Sequence, residues 1–551
     1  MVARTSLWWD RREPASHPHH RAPGEVPHPG DEPADVVVVG AGLTGLTTAL
    51  LLTRAGCRVL VLEARAVGAG TTGRSTAKVS LLQGDRLASL AERHEDRVVA
   101  AYAEGSAEGM DWLLRYLDDH GVPYQRREAL TFATTAEGRA RVEAELEAAR
   151  RAGVPVGWRR RTDLPLPVTG AIGLADQAQV DPLDVLGALA ADVVGRGGRI
   201  AEGVRVLGMH HGAELGGLSR RTVLRTTAGD VAADAVVLAT GTPILDRGGA
   251  FARLHALRSY LCAFRVPEPP PTSMALSVDA DTRSVRSVPA LAGAGLVRGP
   301  AVPGGSATPV GAAVPDLLLV GGAGHPVGRR PKTGESVRAL VDWTRAHVPG
   351  AELTHVWSAQ DYATTDGLPL VGRLLPLDPR LYVATGYAKW GMTTAVAAAL
   401  VLAADILNDR APRWAESWRP WGRHELTGLG DAARLNASVA RWLAGGWTAP
   451  RAGAGTRAAP PEGQGGVERA GVRPEAVCTV GGVTRRVSGV CTHLGGVVTW
   501  NEVERSWDCP LHGSRFAPDG APLEGPATTP LEPLGRARTG SVAGPGGPGT
   551  G

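Results

Sequence analysis

The stretch Asp35-Val-Val-Val-Val-Gly-Ala-Gly-Leu-Thr-Gly45 is followed by an apolar-periodic segment and then by Arg58-Val-Leu-Val-Leu-Glu63. A run of valines is typical of a strand buried on both faces, and the periodic segment after the glycines predicts a helix. The second apolar run, which ends at Glu63, predicts another strand. These three segments form a β–α–β unit, and the rest of the chain is organised around it.

Each glycine of this unit has a separate physical role. Gly40 permits a tight turn, Gly42 lets the backbone approach a pyrophosphate, and Gly45 lets the helix pack closely on the strand. Glu63 stands at the end of the second strand, where a carboxylate can accept hydrogen bonds from a ribose hydroxyl. We therefore predict a dinucleotide site, with a Gly-rich turn in an ordinary parallel sheet as the alternative.

Length and composition set limits on the function. A chain of 551 residues is too long for one core, and 43% hydrophobic with 21% charged residues is typical of a globular protein. The net charge of +4 is small and the basic residues are scattered, so nucleic acid is not an indicated partner. Neither a membrane span nor a secretory signal is visible, and we expect a cytoplasmic location.

Shifts in composition predict the domain boundaries. Residues 1–33 are polar and predict a mobile N-terminal tail, in which the adjacent aromatics Trp8 and Trp9 are the exception and are expected to dock. Residues 34–447 predict one large domain around the dinucleotide site, in which 259–360 are largely a substrate-side domain. Ala, Gly and Pro dominate 448–470, which we interpret as a linker. A small domain at 471–538 and a disordered tail at 539–551 complete the prediction.

A second motif lies beyond the predicted linker. Cys491-Thr-His493 and Cys509-Pro-Leu-His512 each carry one cysteine and one histidine on a Gly-containing turn, so together they can supply four metal ligands. A structural zinc site is the first alternative, but zinc pairs are usually Cys-x-x-Cys with His-x-x-x-His. A cluster whose two irons take unlike ligands needs one cysteine and one histidine from each loop, and this pattern favours it.

The region from about 472 to 536 resembles the Rieske [2Fe–2S] family. By that resemblance Cys491 and Cys509 hold one iron, and His493 and His512 hold the outer iron. The cytochrome-bc-type members carry a further cysteine in each loop, joined as a disulfide, and here those positions are Gly496 and Leu511.

Two more positions bear on the reduction potential of such a cluster. Phe516 stands where the high-potential members have a tyrosine that hydrogen-bonds near the cluster, whereas Ser514 is retained. Fewer hydrogen bonds to the sulfurs lower the reduction potential of a cluster. The resemblance therefore implies a lowered reduction potential here, although Ser514 can still donate one such hydrogen bond.

The region from about 34 to 410 resembles the FAD-dependent oxidoreductases of the D-amino-acid oxidase and glycine oxidase type. The resemblance implies FAD as the nucleotide. It also implies an α/β Rossmann-like FAD-binding domain with an inserted antiparallel α+β substrate domain, beside a small all-β Rieske domain. Besides Gly40, Gly42, Gly45 and Glu63, the cofactor-binding residues it implies are Arg65, Thr72, Gly73, Arg74, Thr240, Gly241, Gly386, Gly391, Met392 and Thr393.

The function predicted from both resemblances is oxidation of a small amine or amino acid, with electrons passed singly through the cluster. Lys389 and Tyr260 are the catalytic candidates, although a salt bridge for Lys389 and a core position for Tyr260 stay open. We do not expect a Rieske oxygenase, because about 39 residues follow His512 in this sequence and its mononuclear iron domain is large. A redox sensor or electron relay that exchanges electrons with a redox protein partner is the alternative.

Overall fold

The computed structural model describes residues 2–12, 32–211, 221–245, 247–288, 317–449, 459–470, 473–534 and 538–539. The chain divides into two compact units. The first comprises residues 1–326 and 335–436, and the second comprises 327–334 and 437–551. Within the described ranges, no helix has both the length and the apolar content that crossing a membrane requires.

The first unit contains two large sheets. Its strands are β1 (Ala34–Val39), β2 (Val59–Leu62), β3 (Lys78–Val79), β4 (Tyr124–Ala133), β5 (Gly157–Trp158), β6 (Gly170–Val180), β7 (Arg199–Ala201), β8 (Val206–His211), β9 (Thr222–Thr226), β10 (Gly229–Leu238), β11 (Leu254–Arg265), β12 (Met274–Ser277), β13 (Arg283–Val288), β14 (Leu317–Pro326), β15 (Glu352–Thr364), β16 (Leu370–Arg373) and β17 (Leu381–Thr385). The helices are α1 (Leu7–Asp10), α2 (Leu43–Arg54), α3 (Arg86–Ala91), α4 (Asp96–Asp119), α5 (Ala136–Arg151), α6 (Pro182–Gly195), α7 (Thr333–His347), α8 (Gly391–Leu407) and α9 (Leu429–Thr448), the last of which continues into the second unit.

The first sheet confirms the β–α–β prediction. Its central path is β16-β17-β10-β1-β2-β7, and β1 pairs in parallel with both β2 and β10. Val36 and Val38 belong to one buried core, whereas Val37 and Val39 belong to another. Because successive side chains of a strand point to opposite faces, the valine run supplies a core on each side of the sheet.

The second sheet has the order β15-β11-β14-β13-β12-β4-β6-β3, with β5 beside β6. Most pairs are antiparallel, as predicted for the substrate-side domain. The sheet is wider than residues 259–360, because β12 pairs in parallel with β4 and thereby joins strands from much earlier in the chain. Periodicity within 259–360 could not reveal partners that lie so far away in sequence.

Residues 2–12 differ from the predicted mobile tail. Trp8 in α1 is buried, its indole Nε1 donates to the carbonyl of Ser75 at 2.8 Å, and the Ser6 hydroxyl donates to the carbonyl of Gly73 at 2.8 Å. Two adjacent tryptophans were the sequence signal that this part of the segment docks. The remainder of the predicted tail, residues 13–31, lies outside the described residues.

The second unit is built from short strands in two four-stranded sheets. The strands are β18 (Gly465–Ala470), β19 (Arg473–Val480), β20 (Val483–Ser488), β21 (Thr499–Asn501), β22 (Ser506–Asp508), β23 (Arg515–Phe516), β24 (Pro522–Glu524) and β25 (Arg538–Thr539). Every strand pair is antiparallel, which fits the small all-β domain that the sequence predicts.

The boundary of this unit differs from the predicted linker of 448–470. β18 lies within that range and pairs along β19, so part of the range belongs to the folded unit. Residues 450–458 of the predicted linker and 540–551 of the predicted tail lie outside the described residues.

Candidate functional site

The glycine turn after β1 is held by contacts that only glycine permits. Gly40 has a φ of +106°, and a Cβ added to Gly45 would lie 1.9 Å from the carbonyl oxygen of Gly40. Gly42 is the N-cap of α2, so the free N–H groups of the first helical turn begin at this loop. The helix therefore starts directly against the strand end, which is the geometry that a pyrophosphate needs.

Glu63 follows β2 and lies against the same turn. Its two carboxylate oxygens accept hydrogen bonds from the backbone N–H groups of Ala41 and Arg65, each at 2.9 Å. The Thr72 hydroxyl accepts from the N–H of Leu43 at 3.3 Å. Glu63 and Thr72 are thus brought to the glycine turn, and Arg65 contributes through its main chain.

The loop containing Gly73 and Arg74 is fastened through its carbonyl groups. The indole N–H of Trp357 donates to the carbonyl of Arg74 at 2.9 Å. The Thr71 hydroxyl donates to the carbonyl of Gln360 at 2.5 Å. Since Trp357 and Gln360 belong to β15, these hydrogen bonds fix the loop to a strand of the second sheet.

The chain segments that follow β10 and β17 meet at Gly241 and Thr385. Thr385 donates to the carbonyl of Gly241, and the Thr240 hydroxyl donates to the carbonyl of Thr242 at 2.5 Å. Gly241 has a φ of +78°, and a Cβ there would lie 3.0 Å from the ring of Tyr362. The nucleotide sheet and the second sheet therefore approach each other at Gly241.

The turn before α8 reaches the start of α2. The hydroxyl groups of Tyr387 and Thr44 are 3.0 Å apart, and Gly386 adopts a φ of +83°. At the first turn of α8, Thr393 is buried and accepts a hydrogen bond from the Gln83 amide at 3.3 Å. The predicted residues Gly391 and Met392 begin this helix, so two helix N-termini share one region.

One face of β11 and β15 carries a row of polar side chains. Arg258 donates to the hydroxyl of Ser358 and to the Gln360 amide oxygen, the latter at 2.7 Å. The Gln360 amide donates in turn to the Tyr362 hydroxyl at 2.8 Å. Tyr260, the predicted catalytic tyrosine, is fully buried. Its ring stacks on His325 of β14 with centroids 5.7 Å apart.

Lys389 lies beside β15 and contacts a residue that alternates with those of the polar row. Its backbone adopts a φ of +76° and its N–H donates to the carboxylate of Asp361. Its Nζ lies 3.2 Å from the position that a Cβ on Gly324 would take. Although the side chain is solvent-accessible, surrounding protein lowers the pKa of its ammonium, and the charge of Asp361 opposes that shift.

Asp361 is a residue that sequence reasoning missed. Burial raises its pKa to about 6, against the hydrogen bonds from the N–H groups of Tyr362 and Lys389. A carboxylate and an ammonium with displaced pKa values in one place are typical of functional sites. No local pattern marks Asp361 in the sequence, because its partner Lys389 follows a later strand.

The two cysteine–histidine loops of the second unit share one backbone design. In the first, the N–H of Cys491 donates to the carbonyl of Gly496 at 2.8 Å, and the N–H of Gly495 donates back to Cys491 at 3.1 Å. In the second, Cys509 and Ser514 form the equivalent bond at 2.8 Å, and Gly513 donates back to Cys509 at 3.2 Å. Each loop therefore closes on its own backbone.

These loops bring the four predicted ligands together in two like pairs. The Cys491 and Cys509 thiols are hydrogen-bonded and buried, and the His493 and His512 rings lie edge to face with centroids 5.1 Å apart. Among the residues that the structure describes, no three His, Cys, Asp or Glu side chains group around a single metal ion. A Rieske cluster requires only two protein ligands at each iron, two cysteines at one and two histidines at the other, so the arrangement fits it.

The surroundings of the sulfur pair favour thiolate at Cys491, whereas the hydrogen bond with Cys491 and burial raise the pKa of Cys509. The bond from Cys509 lowers the pKa of Cys491, and the N–H groups of His493 and Leu494 and the Ser514 hydroxyl lower it further, while burial opposes them. A Cβ on Gly496 would lie 3.0 Å from the sulfur of Cys509, so a glycine there leaves room beside the buried sulfur.

Comparisons with known proteins match both regions of the chain. A family model described as FAD dependent oxidoreductase matches residues 35–405, and one described as Rieske [2Fe-2S] domain matches residues 459–535. The chain is 31% identical over 510 residues to the Rieske 2Fe-2S iron-sulfur protein YhfW of Bacillus subtilis (strain 168), which covers 92% of this chain and 94% of the relative.

Further matches cover only one of the two regions each. Over 42 residues, 8% of this chain and 24% of the relative, the chain is 52% identical to the cytochrome b6-f complex iron-sulfur subunit 3 of Nostoc sp. (strain PCC 7120 / SAG 25.82 / UTEX 2576). The structure of glycine oxidase from Geobacillus kaustophilus matches with a TM-score of 0.55 and 21% identity, covering 70% of this chain and 98% of that one. L-proline dehydrogenase from P. horikoshii matches with a TM-score of 0.53 and 16% identity, covering 71% and 97%.

The structural matches show a shared fold for the first unit. The family matches confirm the predicted cofactors, FAD in residues 35–405 and a [2Fe–2S] cluster in residues 459–535. The chain belongs to the FAD-dependent oxidoreductase family and carries a C-terminal Rieske [2Fe–2S] domain.

Proposed function

We propose that this enzyme oxidises a small amine or amino acid and passes the electrons singly to its Rieske cluster. The observation that carries the proposal is the polar face of β11 and β15, which meets the glycine turns of the nucleotide sheet at Gly241. The solved glycine oxidase and L-proline dehydrogenase share this fold, and their names identify amino acids as the substrate class of the proposal.

The same geometry supports an assignment of the cofactor positions. We assign the pyrophosphate to the turn from Gly40 to Gly45 and the ribose to Glu63. The flavin ring then lies between Gly241 and the turn from Gly386 to Thr393. Cys491 and Cys509 hold one iron of the cluster, and His493 and His512 hold the other.

The side chains have distinct tasks in this scheme. The row Arg258, Gln360 and Tyr362 is fixed by its own hydrogen bonds, so it offers preset polar groups to a substrate. Lys389 places an ammonium beside Gly324 of β14 and orients a water or the substrate there. Asp361 accepts a hydrogen bond from the Lys389 backbone and so fixes it. Tyr260 of β11 supports the second sheet through its stacking on His325 of β14.

FAD accepts a pair of electrons and releases them one at a time, and a [2Fe–2S] cluster carries one, so the two groups together convert between two- and one-electron chemistry.

Anaerobic titration of the full chain tests the proposal. A panel of small amines and of D- and L-amino acids, including glycine and proline, is added while the flavin absorbance and the cluster EPR signal are recorded. The expected result is that one substrate class bleaches the flavin and then produces the signal of the reduced cluster. A Cys509→Ser variant serves as the control, because it should bleach with the same substrate and give no cluster signal.

The opposite result has a clear meaning. If no member of the panel bleaches the flavin, while a reduced ferredoxin or a reductase fills the cluster readily, the oxidase proposal fails and an electron relay with a protein partner replaces it. A substrate that bleaches the flavin but never yields a reduced cluster would overturn only the electron-transfer part.

A further inference from the structure

The segment Val327-Gly-Arg-Arg-Pro-Lys-Thr-Gly334 belongs by its contacts to the Rieske unit, although its sequence lies inside the 35–405 family match. It connects β14 to α7 along the chain. Val327, Gly328 and Thr333 are buried, Arg329 is half-buried, and Arg330 is exposed. The segment is partly buried in this unit although it lies far from the cluster motif in sequence, so it contributes contacts that the motif itself does not supply.

The segment is anchored at both ends. The Thr499 hydroxyl donates to the carbonyl of Gly328 at 2.9 Å, and the Thr333 hydroxyl donates to the Asn501 side chain at 3.0 Å. A Cβ on Gly328 would lie 2.7 Å from the backbone nitrogen of Pro510, and the φ of Gly328 is +69°. The main chain of the segment thus lies directly on the second cluster loop, at the residue after Cys509.

Arg329 is fixed in this setting by three groups. Its Nε donates to the carbonyl of Pro510 at 2.8 Å, and its Nη1 donates to the Ser438 hydroxyl at 2.8 Å. The guanidinium carbon lies 5.8 Å from the centre of the Trp442 ring. Ser438 and Trp442 belong to α9, so a helix and a cluster loop together set the position of this cation.

The position of Arg329 brings its charge within electrostatic reach of the sulfur pair. Burial lowers the pKa of Arg329, and the charge of Cys509 raises it, so the two groups interact. Reduction adds one negative charge to a cluster, and a fixed cation in a partly buried place stabilises that added charge more than it does at an exposed site.

We propose that Arg329 is a positioning residue of the cluster centre, whose fixed positive charge beside Pro510 raises the reduction potential of the Rieske cluster. The proposal goes beyond the oxidation proposed above, and it rests on the ligand set Cys491, His493, Cys509 and His512. Failure of that ligand set would be visible separately, as a wild-type protein without iron, acid-labile sulfide or a [2Fe–2S] spectrum.

The test is a redox titration of the full chain with dithionite, followed by EPR and visible circular dichroism. We compare wild type with Arg329→Gln, which removes the charge and keeps an N–H donor, and with Arg329→Lys, which keeps the charge. Arg330→Gln is the matched control, because it removes the same charge from an exposed neighbour. Arg329→Gln is expected to lower the reduced-to-oxidised ratio at a fixed potential about tenfold, which is about 59 mV for a one-electron couple.

Arg329→Lys should retain at least half of the difference in reduction potential between wild type and Arg329→Gln. Arg330→Gln should have a reduction potential close to that of wild type. The proposal is overturned if Arg329→Gln leaves the potential unchanged, if Arg330→Gln shifts it equally, or if Arg329→Lys shifts it as far as glutamine does. If Arg329→Gln fails to load the cluster, the lysine variant decides: a wild-type potential supports the charge, and a lowered one contradicts it.

Discussion

The two cofactor sites of this protein differ in how far apart their parts lie in the sequence. The cluster loops run from Cys491 to Ser514, and each closes through hydrogen bonds of its own backbone. The proposed FAD site draws on turns between Gly40 and Thr393, which contacts across two sheets bring together. The geometry of a local site follows from its sequence motif, whereas the geometry of a distributed site depends on the topology of the whole unit.

This difference predicts opposite responses to substitution. Damage to one cluster ligand should remove the cluster and leave the FAD site intact, because the loops close locally. Substitution of a tightly packed residue in the FAD site should also displace neighbouring elements, since several strands share the contact.

Cys509→Ser gives the largest expected effect. A serine hydroxyl is a poor ligand beside a soft thiolate site, so the cluster should be lost completely while FAD content stays unchanged. Iron, acid-labile sulfide and flavin are measured in the purified full chain. The matched control is Cys478→Ser, because Cys478 is also buried in this unit but its thiol donates to the carbonyl of Pro518 at 3.7 Å. Retention of a normal cluster in Cys509→Ser would contradict the assigned ligands.

Gly45→Ala should have the next largest effect. Its Cβ would lie 1.9 Å from the carbonyl oxygen of Gly40, a backbone atom that cannot move without shifting β1. We expect at least a tenfold loss of bound FAD, since about 1.4 kcal/mol changes a binding constant tenfold and a backbone clash costs more. Flavin release is measured by fluorescence after dilution.

Gly187→Ala is the control for this glycine. Gly187 lies inside α6 with no atom within 4 Å of an added Cβ, so FAD binding should be unaffected and the helix should gain about 0.5 to 1 kcal/mol. Equal FAD affinity in both variants would show that close packing at Gly45 is not required.

The same difference explains what the sequence could predict. The ligands of the cluster and the β–α–β unit were predictable from short stretches of sequence. Cys-x-His and Cys-x-x-His indicate metal ligands, and a valine run followed by spaced glycines indicates the β–α–β unit, without knowledge of any distant contact. The contact of Trp8 with Ser75, the contact of Lys389 with Asp361, and the place of Arg329 beside the cluster loop were not predicted. Each depends on a residue from a distant strand or loop, and no spacing rule encodes that contact.

Asp366→Asn tests a long-range contact behind the FAD site. The Asp366 carboxylate accepts from His424 at 2.6 Å, and both side chains are buried. Asp366 also accepts from the N–H of Leu368, whose carbonyl lies 3.7 Å from a Cβ position on Gly386. Breaking a buried ion pair should cost about 3 kcal/mol of unfolding free energy.

The pH dependence of this loss has a definite sign. The carboxylate of Asp366 raises the pKa of His424 against the effect of burial, and the hydrogen bond and charge of His424 lower the pKa of Asp366 against burial. The histidine's contribution is fully present below its ordinary pKa and is lost as pH rises through the raised value. The aspartate's contribution is present above its ordinary pKa and is lost as pH falls through the lowered value.

Thermal unfolding of the full chain from pH 5 to 9 measures both effects. The wild type should lose stability relative to Asp366→Asn as pH rises above about 6.5, the ordinary pKa of histidine. Glu352→Gln is the control, because Glu352 pairs with Arg265 at an exposed strand end and its loss should change stability by less than about 0.5 kcal/mol. Parallel pH profiles for wild type and Asp366→Asn would refute a charged pair.

Ser514→Ala should give the smallest effect and the sharpest view of the local site. The Ser514 hydroxyl accepts from the N–H of Ala527 at 3.0 Å, which leaves its hydrogen directed to Cys491, whose pKa it lowers. Loss of this donor should make the sulfur more electron-rich and lower the potential of the cluster by no more than about 60 mV, a tenfold change in the redox ratio. Thr492→Val is the control, since Thr492 lies in the first loop but donates to the carbonyl of Thr529 at 2.8 Å. If both variants keep the wild-type potential, the sulfur is not tuned from Ser514, and the fixed charge of Arg329 becomes the main protein contribution to the potential.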